Sequence, residues 1–162
     1  MKRIHLIGRK NSGKTTLVVE LITELTQRGL KIGTIKHTGH AYELDTPGKD
    51  SHRHRQAGST PAAIISGPLM GIYLPSKNPY DKLDHLYSDC DLIIVEGDNR
   101  TNAPKIEVWR DQAKEPPIAT TDKTIHAIIS DDNPTVNQPI WPRNNLAAIA
   151  DKIIELAAQT NE

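Results

Sequence analysis

The chain has 162 residues, with 20 Lys and Arg balanced against 20 Asp and Glu. That length can bury one real core, and the zero net charge excludes the basic footprint of a general nucleic-acid binder. A single cysteine, Cys90, rules out an internal disulfide and favours a reducing compartment.

No apolar run approaches the roughly 18 residues needed to cross a bilayer. Only Ile4–Ile7 stand between Met1-Lys2-Arg3 and Gly8, too few for a signal-peptide hydrophobic region. The expectation is one cytoplasmic domain over residues 1–162, with neither nucleic acid nor membrane among its partners. Aromatics make up 4% and Phe is absent, so the core must rest on Ile, Leu, Val and Ala.

Ile4–Ile7 reads as a first strand ending at Gly8. Leu17, Val18, Leu21, Ile22 and Leu25 recur at helical spacing, and Gly29 stands where a helix C-terminus belongs. Leu30–Lys36 follows as a second strand, so the opening is a βαβ unit whose strands should lie parallel. His37–Lys49 reads as a loop, and Asp50 or Ser51 as the cap of a short helix through Ala57. Ala62–Ser66 and Gly71–Leu74 read as strands, and Tyr80–Tyr87 as a short helix. Asp91–Glu96 has four consecutive branched residues, which suits a strand covered on both faces. Lys105–Arg110 alternates polar and apolar positions, as a half-exposed strand would, and such an edge could pair with a partner's sheet. Ile125–Ser130 is another strand and Pro134–Pro142 is irregular. A final helix carries Leu146, Ile149, Ala150, Ile153, Ile154 and Ala157 on one stripe, capped by Asn144 or Asn145. Strands alternating with helices predict an α/β layered domain.

Gly8-Arg9-Lys10-Asn11-Ser12-Gly13-Lys14-Thr15 satisfies G-x-x-x-x-G-K-[ST], placed between a strand and a helix as the motif requires. Gly8 and Gly13 admit conformations that let successive N–H groups face one anion, and the following helix adds its positive end. Lys14 supplies a charge for the terminal phosphates, the Thr15 hydroxyl can ligate Mg²⁺, and Thr16 can bond the α-phosphate. A phosphate loop also needs an acidic partner for its metal. Glu96 stands at the C-terminal strand end, where ligands of parallel sheets collect, and Asp91 stands at the opposite end. The fold class that follows is a three-layer α/β P-loop NTPase, with a mostly parallel central sheet flanked by helices.

Further segments carry a family resemblance: Lys36-His37-Thr38-Gly39-His40, Asp45-Thr46-Pro47-Gly48-Lys49-Asp50-Ser51, Arg53, Ala57-Gly58, Asp91–Gly97 and Pro104–Val108. Together with the loop they resemble the MobB family of molybdopterin-guanine dinucleotide biosynthesis adapter proteins, over essentially the whole chain. The resemblance implies a GTP- and Mg²⁺-binding, weakly hydrolysing homodimer that assists the molybdenum cofactor guanylyltransferase acting on molybdopterin. It implies that Gly8–Thr16 hold the triphosphate, that Asp50 lies in a switch-like loop near the metal, and that Thr15, Asp50 and Glu96 serve the metal, with Lys14 and Asp50 as the catalytic pair. One departure is Asp98-Asn99-Arg100, where the family often continues with an aromatic residue and Lys; Arg100 could supply the positive charge.

Guanine preference rests on the resemblance. Thr121-Asp122-Lys123-Thr124 scrambles the order of guanine-reading segments and precedes its strand, whereas Asp131 and Asp132 follow theirs and could equally form a polar turn. Lys36, His37, Lys49 and Arg53 suggest a landing site for a second anion such as the molybdopterin phosphate, against an ordinary solvated face. His37, His40, His52 and His54 cluster in sequence, yet without a nearby cysteine they suit loop or ligand-facing positions better than a transition-metal site. Arg9 or Lys10 could act across a dimer. The alternatives to an adapter are a metallochaperone-type regulatory GTPase or a small-molecule kinase, the latter lacking any arginine-rich lid.

Overall fold

A computed structural model describes residues 2–41 and 43–159. Its contacts divide the chain into two compact units, one of residues 1–39 and 87–162, the other of residues 40–86.

The first unit is a six-stranded sheet. In chain order its elements are β1 (Arg3–Ile7), α1 (Lys14–Gln27), β2 (Ile32–Lys36), β5 (Leu92–Glu96), β6 (Lys105–Val108), β7 (Ile125–Ile129), β8 (Ile140–Trp141) and α4 (Leu146–Ala158). The strands run β2-β5-β1-β6-β7-β8, and every pairing is parallel. This is the expected α/β P-loop architecture, with β5 inserted between the two strands of the opening βαβ unit.

Alternation sorts each strand's side chains between two faces. Ile4, Leu6, Leu92, Ile94, Ile106 and Val108 pack under α1 and α4, against Leu17, Leu21, Leu25, Ile149 and Ile153. The other face holds a smaller core of Ile7, Trp109, Ala119, Ile125 and Ile128. Two 3₁₀ turns, Asp111–Ala113 and Ile118–Thr120, lie in the loop between β6 and β7. Gly29, at φ +86, lets α1 stop, with its own N–H bonding the Thr26 carbonyl and the Leu30 N–H that of Leu25. Asn145 caps α4 by accepting from the Ala148 N–H at 3.2 Å.

Several sequence expectations are corrected. Lys105–Val108 is fully buried and lies between β1 and β7, so it is neither half-exposed nor available to a partner's sheet. Its polar alternates are satisfied internally: the Lys105 ammonium pairs with Asp122 at 2.9 Å and donates to the Asn99 carbonyl. The Glu107 carboxylate accepts two backbone N–H groups. Ile140–Trp141, inside the segment expected to be irregular, adds an edge strand to β7. The second strand starts at Ile32 rather than Leu30.

The second unit comprises α2 (Asp50–Gln56), a hairpin of β3 (Ala62–Ser66) and β4 (Leu69–Tyr73), and α3 (Pro79–Leu83). The N-cap of α2 is Lys49, not Asp50 or Ser51. Ser51 is buried and donates to Asp45 at 2.9 Å, so its hydroxyl tethers the preceding loop instead of capping the helix. The helix expected to reach Tyr87 ends at Leu83, and β4 starts two residues before Gly71.

His5, fully buried on β1, shares a 3.3 Å contact between its Nδ1 and the Gly97 carbonyl. Burial lowers its pKa from 6.5 to about 4, against the opposing effect of that carbonyl. Between these two values the unfolded chain binds the proton and the folded chain does not, so stability falls as pH drops from 6.5 to 4. The loss is about 3 kcal/mol at most. Glu107, raised by burial, titrates the opposite way and offsets part of it. Urea titrations at pH 7 and pH 4.5 should therefore differ more for the wild-type chain than for His5→Gln.

Candidate functional site

At the C-terminal end of β1 the chain turns through Gly8 (φ +142), Asn11 (φ +64) and Gly13 (φ +87) before α1 begins at Lys14. Close approach dictates the first glycine: a Cβ on Gly8 would stand 2.3 Å from the Val108 carbonyl oxygen. Gly13 is the N-cap, and among the described residues no side chain caps α1 and no acidic residue occupies its first turn. The orphan N–H groups and positive end of a 14-residue helix therefore open onto the bend. That is the arrangement a phosphate chain needs.

Lys14 folds back over the bend. Its ammonium donates to the Arg9 carbonyl and, at 3.2 Å, to the Ser12 hydroxyl. Burial lowers its pKa, partly countered by the charge of Glu96. The Thr15 hydroxyl donates to Glu96 Oε1 at 2.8 Å, and the Lys36 ammonium pairs with the same oxygen. Glu96 is 8% exposed. Burial alone would raise its carboxyl, but the bonds from Lys36 and Thr15 and the charges of Lys36 and Lys14 outweigh it and hold the group below its usual value. Gly97 (φ +101) permits this cluster, because a Cβ there would stand 2.6 Å from the His37 carbonyl.

A cleft of about 430 Å³ opens beside the cluster, lined in part by Gly8, Lys14, Lys36, His37, Asp98 and Arg100. Four basic side chains in one cleft suit a polyanion. A hydroxyl and a carboxylate 2.8 Å apart are the hard oxygen donors that Mg²⁺ prefers. The residues present fit a triphosphate with a divalent cation.

The structure thus brings Gly8–Thr16, Lys36, His37 and Glu96 together in the first unit. Arg9 pairs with Glu115 at 3.0 Å; Lys10 and Asn11 are exposed at the tip. Lys49, Asp50 and Arg53 belong to the second unit, exposed at the start and along α2. In that unit Arg55 lies 4.8 Å over the Tyr73 ring and pairs with Glu43 at 2.7 Å. His52 takes the Gly48 N–H at 3.3 Å and faces Glu43 at 3.6 Å. Asp122 pairs with Lys105 just before β7, the end of the sheet away from the phosphate loop. The Thr124 hydroxyl and Lys105 lower its pKa to about 2.

Two residues escaped the sequence reading. Glu107, fully buried on β6, accepts the Ile118 and Ala119 N–H groups at 2.8 and 2.9 Å and so fixes a turn whose Ile118 lines the cleft. Arg110 lies against the loop itself, its guanidinium carbon 3.1 Å from where a Gly13 Cβ would stand. The signal for Glu107 was a charge flanked by Ile106 and Val108, and period-two alternation gave that position to solvent.

Residues 3–131 match the family model described as molybdopterin guanine dinucleotide synthesis protein B. The chain is 32% identical over 158 residues to the molybdopterin-guanine dinucleotide biosynthesis adapter protein of Escherichia coli, covering 93% of this chain and 90% of that one. It is 31% identical to the protein so named from Haemophilus influenzae, covering 93% and 86%. Among solved structures it resembles Bacillus subtilis MobB, with a TM-score of 0.69 at 20% identity over 96% of this chain and 97% of that one. It also resembles a MobB homolog from Bacillus stearothermophilus, with a TM-score of 0.63 at 20% identity over 98% and 99%. At these identities the structural matches speak for the fold.

Gly8→Ala drives a methyl into the Val108 carbonyl at a φ that L residues avoid, and the bend must shift to relieve it. The expected cost is about 1–3 kcal/mol in stability, with loss of triphosphate binding. Gly29→Ala, at φ +86 and meeting no atom within 4 Å, should cost stability and spare binding. Thermal melts paired with calorimetry check both.

Proposed function

The chain belongs to the family of molybdopterin guanine dinucleotide synthesis protein B, and on that premise we propose that it is a GTP- and Mg²⁺-binding adapter for the guanylyltransferase that acts on molybdopterin. The observation that carries this reading is the seating of Gly8–Thr15 against Val108, with Lys14, Lys36 and Glu96 converging on its open side.

In this reading the backbone N–H groups of the bend and α1 hold the phosphates, while Lys14 leaves its Arg9 and Ser12 partners to meet the terminal ones. Thr15 and Glu96 supply oxygen donors for the metal, which when bound neutralises polyphosphate charge. Hydrolysis is slow. Glu96 already accepts from Lys36 and Thr15 and sits below its usual pKa, which makes it a weak proton acceptor. Asp50 serves hydrolysis, as the family resemblance implies, and Lys36 and His37 receive the pterin's phosphate.

We further propose that the chain is a homodimer. The register Ile65↔Met70 and Ala63↔Ile72 places these four residues on one face of the β3–β4 hairpin. Ile65, Met70 and Ile72 are exposed there, at 74%, 60% and 46%. A two-stranded sheet is marginal alone, and a contiguous apolar face calls for cover. Among the described residues no helix is long and apolar enough to cross a membrane.

Lys14→Ala should lower GTP affinity by about 100-fold, the loss expected when a charged partner of a phosphate is removed, and abolish stimulation of the guanylyltransferase. Asp50→Ala should retain GTP binding and stimulation while slowing hydrolysis. Loss of stimulation in both variants would favour a regulatory GTPase over an adapter.

Ile65→Glu should move the sedimenting species from dimer to monomer. A wild-type chain that sediments as a monomer at micromolar concentration would refute the hairpin interface.

A further inference from the structure

A cavity of about 390 Å³ opens at the N-terminal ends of β6 and β7, the end of the sheet opposite the phosphate loop. One wall is the loop from β5 to β6, carrying Arg100 and Asn102. The other is the turn before β7, carrying Lys123 and Thr124. The chain as a whole balances its charges, yet this lining holds Arg100, Lys105, Lys123 and His126 and no acidic residue.

The walls are fixed from beneath. The buried Lys105 ammonium donates to the Asn99 and Thr101 carbonyls at 3.0 and 3.4 Å and pairs with Asp122 at 2.9 Å, which occupies its three N–H groups. Asp122 is engaged on both oxygens. One faces Lys105, and the other takes the Thr124 N–H and hydroxyl at 2.9 and 2.6 Å. Lys105 therefore clamps the backbone on either side of Arg100 without touching its side chain. The Arg100 guanidinium is exposed and makes no hydrogen bond or ion pair among the described residues. The Lys123 ammonium, also exposed, donates to the Thr120 carbonyl at 3.0 Å.

His126 reaches the cavity through an irregularity of the sheet. Lys105 pairs with Ile125 but Ile106 with Ala127, so β7 carries one extra residue there. Such bulges are rare between parallel strands, and they re-aim a side chain. This one lets Ile125 enter the smaller core and Ala127 the larger, and it turns His126, the one exposed residue of β7, to the cavity.

We infer that this cavity binds the phosphate of a small phosphate monoester, and that Arg100 is shared between it and the cleft, so that each anion weakens the binding of the other. A guanidinium fork grips two phosphate oxygens, while Lys123 and His126 meet the others from the facing wall. The volume leaves room for the organic part. Arg100 stands where the two cavities meet: residues 97–100 line the cleft and residues 100–103 line this cavity. A single guanidinium cannot neutralise both anions, and the resulting penalty is reciprocal. The site stands on its own residues, whereas the coupling rests on the phosphate-loop reading above.

Proton–nitrogen correlation spectra of the full chain, titrated with methyl phosphate at constant ionic strength, test this. The amides of Asn102, Lys123 and His126 should shift saturably, and those of Gly13–Thr15 report the phosphate loop separately. Lys123→Ala and Arg100→Ala should each weaken the cavity site by about tenfold, as expected for one lost charge-assisted hydrogen bond. Saturating GTP with Mg²⁺ should weaken it by about fivefold in the wild-type chain and leave it unchanged in Arg100→Ala. Shifts that fail to saturate, or that Lys123→Ala leaves as they were, would overturn the site. Equal affinity for methyl phosphate with and without bound GTP would overturn the coupling alone. A chain that takes up no GTP yet keeps the saturable shifts would overturn the phosphate-loop reading, and the coupling with it, while upholding the cavity.

Discussion

The phosphate-binding end of the first unit depends on how closely the backbone after β1 packs onto the end of β6. The Val108 carbonyl occupies the space a Gly8 side chain would need, so the chain leaves the central strand without rising over its neighbour and enters α1 after a bend of six residues. β1 is flanked by β5 on one side and β6 on the other. Their C-terminal ends therefore open on both sides of the bend, as parallel sheets permit where strand order reverses. One side receives Glu96, Lys36 and His37; the other receives Arg110 and, from β7, Asp132.

Two carboxylates beside that bend behave oppositely, and strand parity decides which does what. Glu96 lies in register with Leu6 on the face covered by α1, where the Thr15 hydroxyl and the Lys36 ammonium reach it and hold it ionised. Glu107 lies on the other face, engaged by backbone N–H groups alone. Burial there outweighs those donors and raises its pKa. The first is open to ligand exchange. The second acts as a structural clamp, tying the turn at Ile118 to the sheet beneath the cleft.

The order of strands and helices in the first unit was legible because its apolar periods are long and its punctuation is conventional: Gly29 after α1, Asn145 before α4, four branched residues in β5. The phosphate bend was legible because few other chemistries require two glycines at that spacing before Lys-Thr. What escaped was anything set by pairing partners. Lys105 and Glu107 look solvated in a lone strand and become buried only when β1 and β7 close on both sides. Ile140–Trp141 is too short to announce itself and exists as a strand through its bonds to β7. Ser51 was mistaken for a cap because its buried partner, Asp45, lies six residues earlier in a loop that no periodicity predicts.

On the proposed reading, the balance of charges in the cleft favours holding a nucleotide over consuming it. A general base must be free to take a proton and poised near the working pH. Glu96 meets neither condition: two donors share one of its oxygens and its pKa is depressed. The cleft's other charged lining is mostly cationic, which stabilises bound phosphate before and after any transfer and so discriminates little between ground and transition states. Binding of that uniform kind lengthens residence without speeding chemistry. A protein that must present a nucleotide-loaded surface to another enzyme needs that property, and a motor or a signalling switch, which must discharge its nucleotide on schedule, does not.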